Sequence, residues 1–505
     1  MTDQVKQNQI NNAAWAACDT FRGVIDAANY KDYILVMLFF KYISDVWIAH
    51  TKKCKEKYKN EPSRIEQQLE REQFVIPEGQ TFYDIFAQRE KSNIGELIND
   101  ALIKIEKRNL AKLDGIFRNI DFNSDSNLGK SRERNRRLKM LLEDFNKPAL
   151  DLGPERVSED IIGECYIYLI SRFASDAGKK AGEFYTPAAV STLLAKLAAP
   201  KSGNIICDPA CGSGSLLIKA AKEVRDGNYA LYGQEMNNAT WALAQMNMFL
   251  HSKAGAHIYW GDTLNHPAIF EKDKLMEFDI VVANPPFSLD KWGHENAVND
   301  EYNRFWRGIP PKTKGDYAFI SHMIEITKKD SGRAAIVVPH GVLFRGGTEG
   351  LIRQSLIEDN LLDAVIGLPA NLFTSTSIPV AILVFDRSRE VKGQNNQRKD
   401  VLFIDASKSF KTGKGQNFLE DEHINKIVDT YKDRKTVEKY SHLANIDEIR
   451  ENKYNLNIPR YIDTYEEEKE IDVAELQKEI QQLEKELVNV RSQMEIYLKE
   501  LGVKG

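Results

Sequence analysis

The stretch Asn204-Ile-Ile-Cys-Asp-Pro-Ala-Cys-Gly-Ser-Gly-Ser215 reads as a short apolar strand, a glycine-bearing turn and the start of a helical segment, Leu216 to Val224. In a doubly wound fold this first turn is where a ligand approaches the backbone, and glycines stand where a β-carbon would obstruct it. A Gly-x-Gly pair alone is a weak signal. The dinucleotide fingerprint needs a third glycine, and Leu217 takes its place, which disfavours a dehydrogenase. Further apolar runs follow at Ala230 to Gln234, His257 to Trp260, Asp279 to Ala283, Ala334 to Val338, Leu362 to Ile366 and Val380 to Phe385, with helical segments between most of them. That alternation predicts an α/β fold with a mostly parallel sheet covered on both faces. The last two runs are separated only by a loop rich in Thr, Ser and Pro, which predicts a terminal antiparallel strand; one more short strand is expected at Val401 to Ile404.

Carboxylates stand at successive strand ends. Asp208 closes the first strand, Glu235 the second, 27 residues later, and Asp262 follows the third. An acid at the second strand end can accept both ribose hydroxyls of a nucleoside-like cofactor, and one at the third can reach an adenine amino group. Each alone could be a turn or cap residue; three in succession point to one ligand. The fourth strand runs Phe278-Asp-Ile-Val-Val-Ala-Asn284-Pro285-Pro286-Phe287. The two prolines stop the ladder and fix the backbone. A structural turn needs neither the Asn nor the Phe. Together they suit a planar exocyclic amine: the Asn284 side-chain oxygen and the Pro285 carbonyl can accept its two hydrogens, and Phe287 offers a face for the ring. Such an amine could attack an electrophilic methyl in line.

Outward from this centre, Asn11 to about Leu150 reads as helical, with Tyr33 to Tyr42 apolar nearly all round and so expected inside a bundle. Lys130 to Lys139 holds six cations and one acid, open to two readings, a solvated helix face or a phosphate-contacting patch. Gly129-Lys130-Ser131 is not the end of a P-loop, because Ser124 stands where the first glycine belongs. From Ile471, Val473, Leu476, Ile480, Leu483, Leu487, Val490, Met494, Tyr497 and Leu501 advance in steps of three and four, the pattern of a coiled-coil-like helix. The 505 residues suggest about three domains, divided as 1–155 (helical), 156–465 (α/β) and 466–505 (assembly helix). The net charge of −5 argues against a self-sufficient basic nucleic-acid binder. Five scattered cysteines without a Cys-x-x-Cys pair fit a reducing cytoplasm, and Cys207 and Cys211 read as small buried residues flanking the turn, so no metal site is expected. The longest uninterrupted apolar run, Tyr33 to Phe40, has eight residues against the roughly 20 that span a bilayer, so no membrane is expected.

Asp-Pro-Ala-Cys-Gly-Ser-Gly followed by Asn-Pro-Pro-Phe resembles the S-adenosylmethionine-dependent amino methyltransferases that act on adenine in DNA. With the Tyr33-Ile-Leu-Val-Met-Leu-Phe-Phe-Lys-Tyr helix, Gly182-Glu-Phe-Tyr-Thr-Pro187 and the C-terminal heptads, the chain resembles the modification subunit of type I restriction-modification systems from about residue 10 to 500. The resemblance implies a Rossmann-like methyltransferase core with a mixed seven-stranded sheet. It implies that Glu183, Phe184, Tyr185, Thr186, Pro187 and Ala188 line the methionine end of S-adenosyl-L-methionine. Asp208 with Gly212, Ser213, Gly214 and Ser215 would hold its amino-acid portion, Glu235 its ribose and Asp262 its adenine. Asn284, Pro285, Pro286 and Phe287 would hold a flipped adenine. No insertion after Phe287 is large enough for a target-recognition domain, which implies a separate specificity subunit docking on the C-terminal helix. The family assembly adds double-stranded DNA, a second modification subunit and a restriction motor subunit. Among alternatives, a cytosine C5 enzyme needs a Pro-Cys nucleophile that this sequence lacks. An N4-cytosine enzyme more often carries Ser-Pro-Pro. A protein-glutamine N5-methyltransferase would leave the helical region and heptads unexplained, and an inactive scaffold would leave the intact strand-end set unexplained.

Overall fold

The computed structural model describes residues 3–59, 61–176, 185–253, 255–374, 376–413, 415–463 and 473–500. Residues 1–462 form one compact unit and 463–505 a second. The first begins with α1 (Asp3–Ala16) and the long α2 (Ala27–Lys57), continues through short helices to α3 (Ser131–Phe145), and reaches α4 (Glu159–Asp176). Neither Gly nor Pro interrupts α2, and its centre from Tyr33 to Asp45 is buried on every side. By length and composition Asn29–Lys57 is apolar enough to cross a membrane, although its longest apolar run is short; in the fold 67% of that apolar window is buried inside the protein.

The α/β region follows as α5 (Ala188–Ala198), β1 (Asn204–Asp208), α6 (Ser215–Glu223), β2 (Tyr229–Glu235), α7 (Asn238–Leu250), β3 (His257–Trp260) and β4 (Ile280–Ala283). It ends with β5 (Arg333–Pro339), β6 (Leu362–Gly367), β7 (Val380–Asp386), β8 (Asp400–Asp405) and β9 (Ser441–Asn445). These nine strands form one sheet in the order β9-β8-β6-β7-β5-β4-β1-β2-β3. β7 is antiparallel to both β5 and β6. It lies inside the sheet, not at its end, because β6 and then β8 continue beyond it. The sheet is therefore mixed as expected, but wider than seven strands. β8 adds in parallel to β6, and β9 closes the edge antiparallel to β8. The sequence Ser441-His-Leu-Ala-Asn445 has too few apolar residues to stand out as a strand.

Side chains alternate across the sheet with period two. Ile280 and Val282 of β4 join a core that runs continuously through α5, α6, α7 and α4 into the N-terminal helices. Val281 and Ala283 join a second core on the opposite face, beneath the helices Asp316–Glu325 and Thr348–Glu358. Phe249 of α7 is the hinge pin of the first core, 5.1 Å from the Phe74 ring and 6.3 Å from Phe39 of α2.

The basic segment resolves into α3, and much of its charge is spent inside the protein. Arg134 is 8% exposed and donates to the Asn123 carbonyl at 2.9 Å and to Asp125. Arg137 caps the Leu128 carbonyl and pairs with Glu133, while Lys139 pairs with Glu90. Lys130, Arg132 and Arg136 stay exposed. In the second unit, α8 (Val473–Glu500) is a single helix whose seam residues Ile480, Leu483, Leu487, Val490, Met494 and Tyr497 are between 49% and 62% exposed.

One buried ion pair joins the helical elements. Lys41 pairs with Asp45 one turn along α2, with both side chains nearly fully buried. Asp45 also accepts the Tyr83 hydroxyl at 2.8 Å and the Leu152 N–H at 2.9 Å. Burial pulls the Lys41 ammonium below its usual range, and Asp45 opposes that shift. Breaking such a pair strands a buried charge at a cost of about 3–5 kcal/mol, whereas an apolar replacement of both partners is far better tolerated. Asp45→Ala is therefore expected to lose about that much stability in urea unfolding, and Lys41→Met/Asp45→Leu to recover only part of it, because the Leu152 N–H and the Tyr83 hydroxyl still lose their acceptor.

Candidate active site

The turn after β1 is built by close packing. Gly214, at φ 75°, precedes α6, and a β-carbon there would stand 2.6 Å from Met248 Cε of α7. Gly212 also has positive φ, 54°. The Gly214 N–H donates to the Cys211 carbonyl at 2.8 Å, and the Cys211 N–H donates to Gln234 at 3.0 Å, stitching the turn to β2. Fully buried Asn247 donates its amide N–H to the Ser213 carbonyl at 2.8 Å, and the Ser213 and Ser215 hydroxyls lie 2.9 Å apart. Cys207 and Cys211 flank the turn as buried thiols, pushed well up by that burial. Positive φ at both Gly212 and Gly214 is what calls for glycine there, and the Met248 methyl packs against Gly214.

The three strand-end acids differ in what holds them. Asp208 is 2% exposed, and its Oδ1 accepts the Ala210 N–H at 3.0 Å. Burial pushes its carboxyl up to about 8, and neighbouring Glu235 adds to the shift. Glu235 accepts the Gly212 N–H at 3.0 Å and the Asn237 N–H at 2.7 Å; burial raises its pKa against these two bonds. The structure thus brings Asp208, Gly212 and Glu235 into one neighbourhood. Asp262 is the most committed to its own turn. Its Oδ1 accepts from Leu264 N–H at 2.9 Å and Asn265 N–H at 3.2 Å, and its Oδ2 from the Asn265 side chain at 2.7 Å.

β4 delivers Asn284 to the same end of the sheet. Its side-chain N–H donates to Thr186 Oγ at 3.1 Å, while its Oδ1 is buried with no hydrogen-bond partner among the described residues. Pro285 is buried and Pro286 exposed. Phe287 is half-buried, with Phe373 edge-on at 5.9 Å and 71°. Ser288 takes φ 50°, in the left-handed region, and its N–H donates to Asp316 Oδ1 at 2.8 Å. Arg345 in turn grips both Asp316 and Glu349. Of the Glu183–Ala188 group, Glu183 and Phe184 lie outside the described residues. Tyr185 packs on the core, Pro187 precedes α5 as its cap, and Ala188 is exposed. Sequence reasoning assigned Thr186 to a cofactor but missed its bond to Asn284, and it missed Phe373 and Asp316 altogether. Phe373 sits in the Thr- and Ser-rich loop between β6 and β7, where an aromatic among polar residues was the available signal.

Comparison with known proteins gives this geometry its family. Residues 157–470 match the N-6 DNA Methylase family, and residues 10–145 match the HsdM N-terminal domain. The type I restriction enzyme MpnII methylase subunit of Mycoplasma pneumoniae is 32% identical, over 99% of this chain and 97% of its own length. The chain belongs to the type I restriction enzyme methylase subunits. The MjaVII methylase subunit of Methanocaldococcus jannaschii is 34% identical over 96% of this chain and 83% of that protein. The crystal structure of the type I restriction-modification methyltransferase subunit from Streptococcus thermophilus superposes with a TM-score of 0.81 at 36% identity, covering 91% of this chain and 100% of that one. This type I methylase subunit therefore has the S-adenosylmethionine-dependent methyltransferase fold and is an adenine-specific DNA methyltransferase. The comparisons favour none of the alternative readings.

The Asp208 shift has a sign that can be measured. A carboxyl whose folded pKa is raised keeps its proton when folded over a pH range in which the unfolded chain has lost it. Its contribution is fully favourable below the ordinary Asp pKa of 3.8 and is lost as pH rises through about 8. The Tm of the cofactor-free protein is expected to fall between pH 5 and pH 8.5, and Asp208→Asn to flatten that fall, as read by scanning fluorimetry.

Proposed function

We propose that Asn284, Pro285, Pro286 and Phe287 receive an adenine extruded from double-stranded DNA, and that the strand-end residues hold the cofactor. The observation that carries this reading is the buried Oδ1 of Asn284, which has no partner among the described residues. A buried acceptor without a partner is costly, and such atoms in native sites call for a functional account. Thr186 takes the amide N–H, so the oxygen is the end left to face a ligand. A flipped adenine supplies what is missing. Its exocyclic amine donates one hydrogen to Asn284 Oδ1 and the other to the Pro285 carbonyl, and its ring lies on Phe287.

S-adenosyl-L-methionine supplies an electrophilic methyl on sulfur. Around it, Asp208 and the Gly212, Ser213, Gly214, Ser215 turn hold the amino-acid portion, with Tyr185, Thr186, Pro187 and Ala188 at its methionine end. Glu235 takes the ribose and Asp262 the adenine through lone pairs that their backbone contacts leave free. The buried carboxyl of Asp208 and the glycine turn at Gly212 and Gly214 both suit this group. Glu183 and Phe184 belong to the same proposed set. Asn284 and Pro285 draw the amine lone pair away from the ring and orient it, the nitrogen gains the methyl, and one of its protons leaves to water. Asn284 accepts hydrogen bonds without becoming a base. Holding both reactants in line is the main contribution of this chain.

The sequence is read elsewhere in this proposal. A specificity subunit docks on α8, whose exposed heptad seam needs a partner of like pattern. A second methylase subunit joins it on DNA, and a restriction motor subunit joins for cleavage, all in the cytoplasm. The parts 1–155, 156–465 and 466–505 would then serve as helical clamp, catalytic core and assembly helix. Asn284→Ala is expected to lower methyl transfer by about 100-fold or more, while cofactor binding measured by calorimetry persists. Retained transfer removes Asn284 from the mechanism. Deleting residues 471–505 is expected to abolish co-purification with the specificity subunit and to spare cofactor binding. Normal assembly of the truncated chain would show that α8 is not the docking element.

A further inference from the structure

Phe373 faces Phe287 from a loop that folds back on itself through an antiparallel bridge between Phe373 and Thr376. Between Leu368 and Val380 the chain has left the sheet, and Asn371 takes φ 56°. Its longest internal tie is Asn371 N–H to the Ser377 carbonyl, a stretched 3.4 Å. The carbonyls of Ala370, Asn371 and Leu372, just before Phe373, take hydrogen bonds from outside the loop.

A small hairpin supplies all three. Its strands are Lys411–Thr412 and Asn417–Phe418, paired antiparallel. The Asn417 side-chain N–H donates to the Ala370 carbonyl at 2.9 Å, and its backbone N–H to Asn371 at 2.9 Å. The Gln416 side-chain N–H donates to Leu372 at 2.7 Å. Two adjacent residues thus read three consecutive carbonyls. The hairpin has its own anchorage, with Gly413 N–H on the Gln416 carbonyl at 3.0 Å and Lys411 on Glu420 at 2.7 Å.

We propose that Gln416 and Asn417 are positioning residues for the target-base pocket: they hold the 370–372 backbone so that Phe373 stands edge-on to Phe287 and closes one wall around the extruded adenine. The proposal rests on the reading of Asn284 to Phe287 as the adenine receptor. The hairpin touches neither the glycine turn nor the strand-end acids in any bond described above, so its influence falls on DNA and not on the cofactor. Donors are what the carbonyls require. Asn417→Asp keeps the shape of the side chain and removes its N–H, so it separates hydrogen bonding from packing.

The test uses the full-length subunit assembled with its specificity subunit, unmethylated genomic DNA as substrate and radiolabelled S-adenosylmethionine. Gln416→Ala/Asn417→Ala is expected to lower kcat/KM for DNA about tenfold, mainly through KM, with the cofactor Kd unchanged within twofold. Asn417→Asp is expected to behave as Asn417→Ala. Wild-type kinetics in the double variant, full activity in Asn417→Asp, or an equal loss of cofactor affinity would each overturn the proposal. Asn284→Ala in the same assembly is the control for the parent reading. If it still methylates, the receptor is elsewhere, whatever the hairpin variants do.

Discussion

A buried oxygen with no partner among the described residues, Asn284 Oδ1, is the point on which the contacts of the candidate site converge. The net cost of leaving such an acceptor unsatisfied is about 1–3 kcal/mol, and it persists only where the surroundings over-determine the side chain. Asn284 is held from several directions. The prolines after it fix the backbone, Thr186 takes its amide N–H, and Ser288 is pinned in a left-handed conformation by Asp316. Arg345, tied to Asp316 and Glu349, extends the bracing to the helices on the second face of the sheet. The orientation of one amide thus depends on contacts from both layers.

The glycine turn is organised by a different constraint, backbone conformation. Gly212 and Gly214 both hold positive φ, where glycine is favoured, and the Met248 methyl packs where a Gly214 β-carbon would stand. Burial beside this turn places Asp208 and Glu235 in low-dielectric surroundings that disfavour their charged forms. A pair of carboxyls in that state favours a ligand that brings hydroxyls and a positive charge, because binding restores what burial removed. Polar demand and backbone conformation therefore meet at adjacent strand ends, where doubly wound sheets place their ligands.

Much of this was legible in the sequence because it is local. Asp208, Glu235 and Asn284 each end a short apolar run, and a strand end is where chemistry in an α/β sheet belongs. Every strand of the nine-stranded sheet through Val380–Asp386 was readable from apolar runs, as was the burial of Tyr33 to Phe40. What could not be read depends on pairs far apart in the chain. Thr186 meets Asn284 across 98 positions, and no local pattern marks that encounter. Phe373 reaches Phe287 only once the loop is folded back by Gln416 and Asn417. The charge of Lys130 to Lys139 looked available, yet Arg134 and Arg137 turn inward to cap carbonyls of the preceding loop, which composition does not reveal. The edge strand β9 escaped notice because an edge needs few apolar residues.

Met248 and Phe249 are neighbours on α7 with separate duties. Met248 presses on the glycine turn, and Phe249 enters the aromatic cluster of Phe39 and Phe74 in the helical region. One rigid rod therefore couples two parts of the chain that match different families. Damage to the N-terminal helices would register at the glycine turn, not as an independent melting step. For the same reason the helical region is not a detachable cassette: a graft from a relative would have to bring its own partner for Phe249, or reshape the turn that the neighbouring methionine supports.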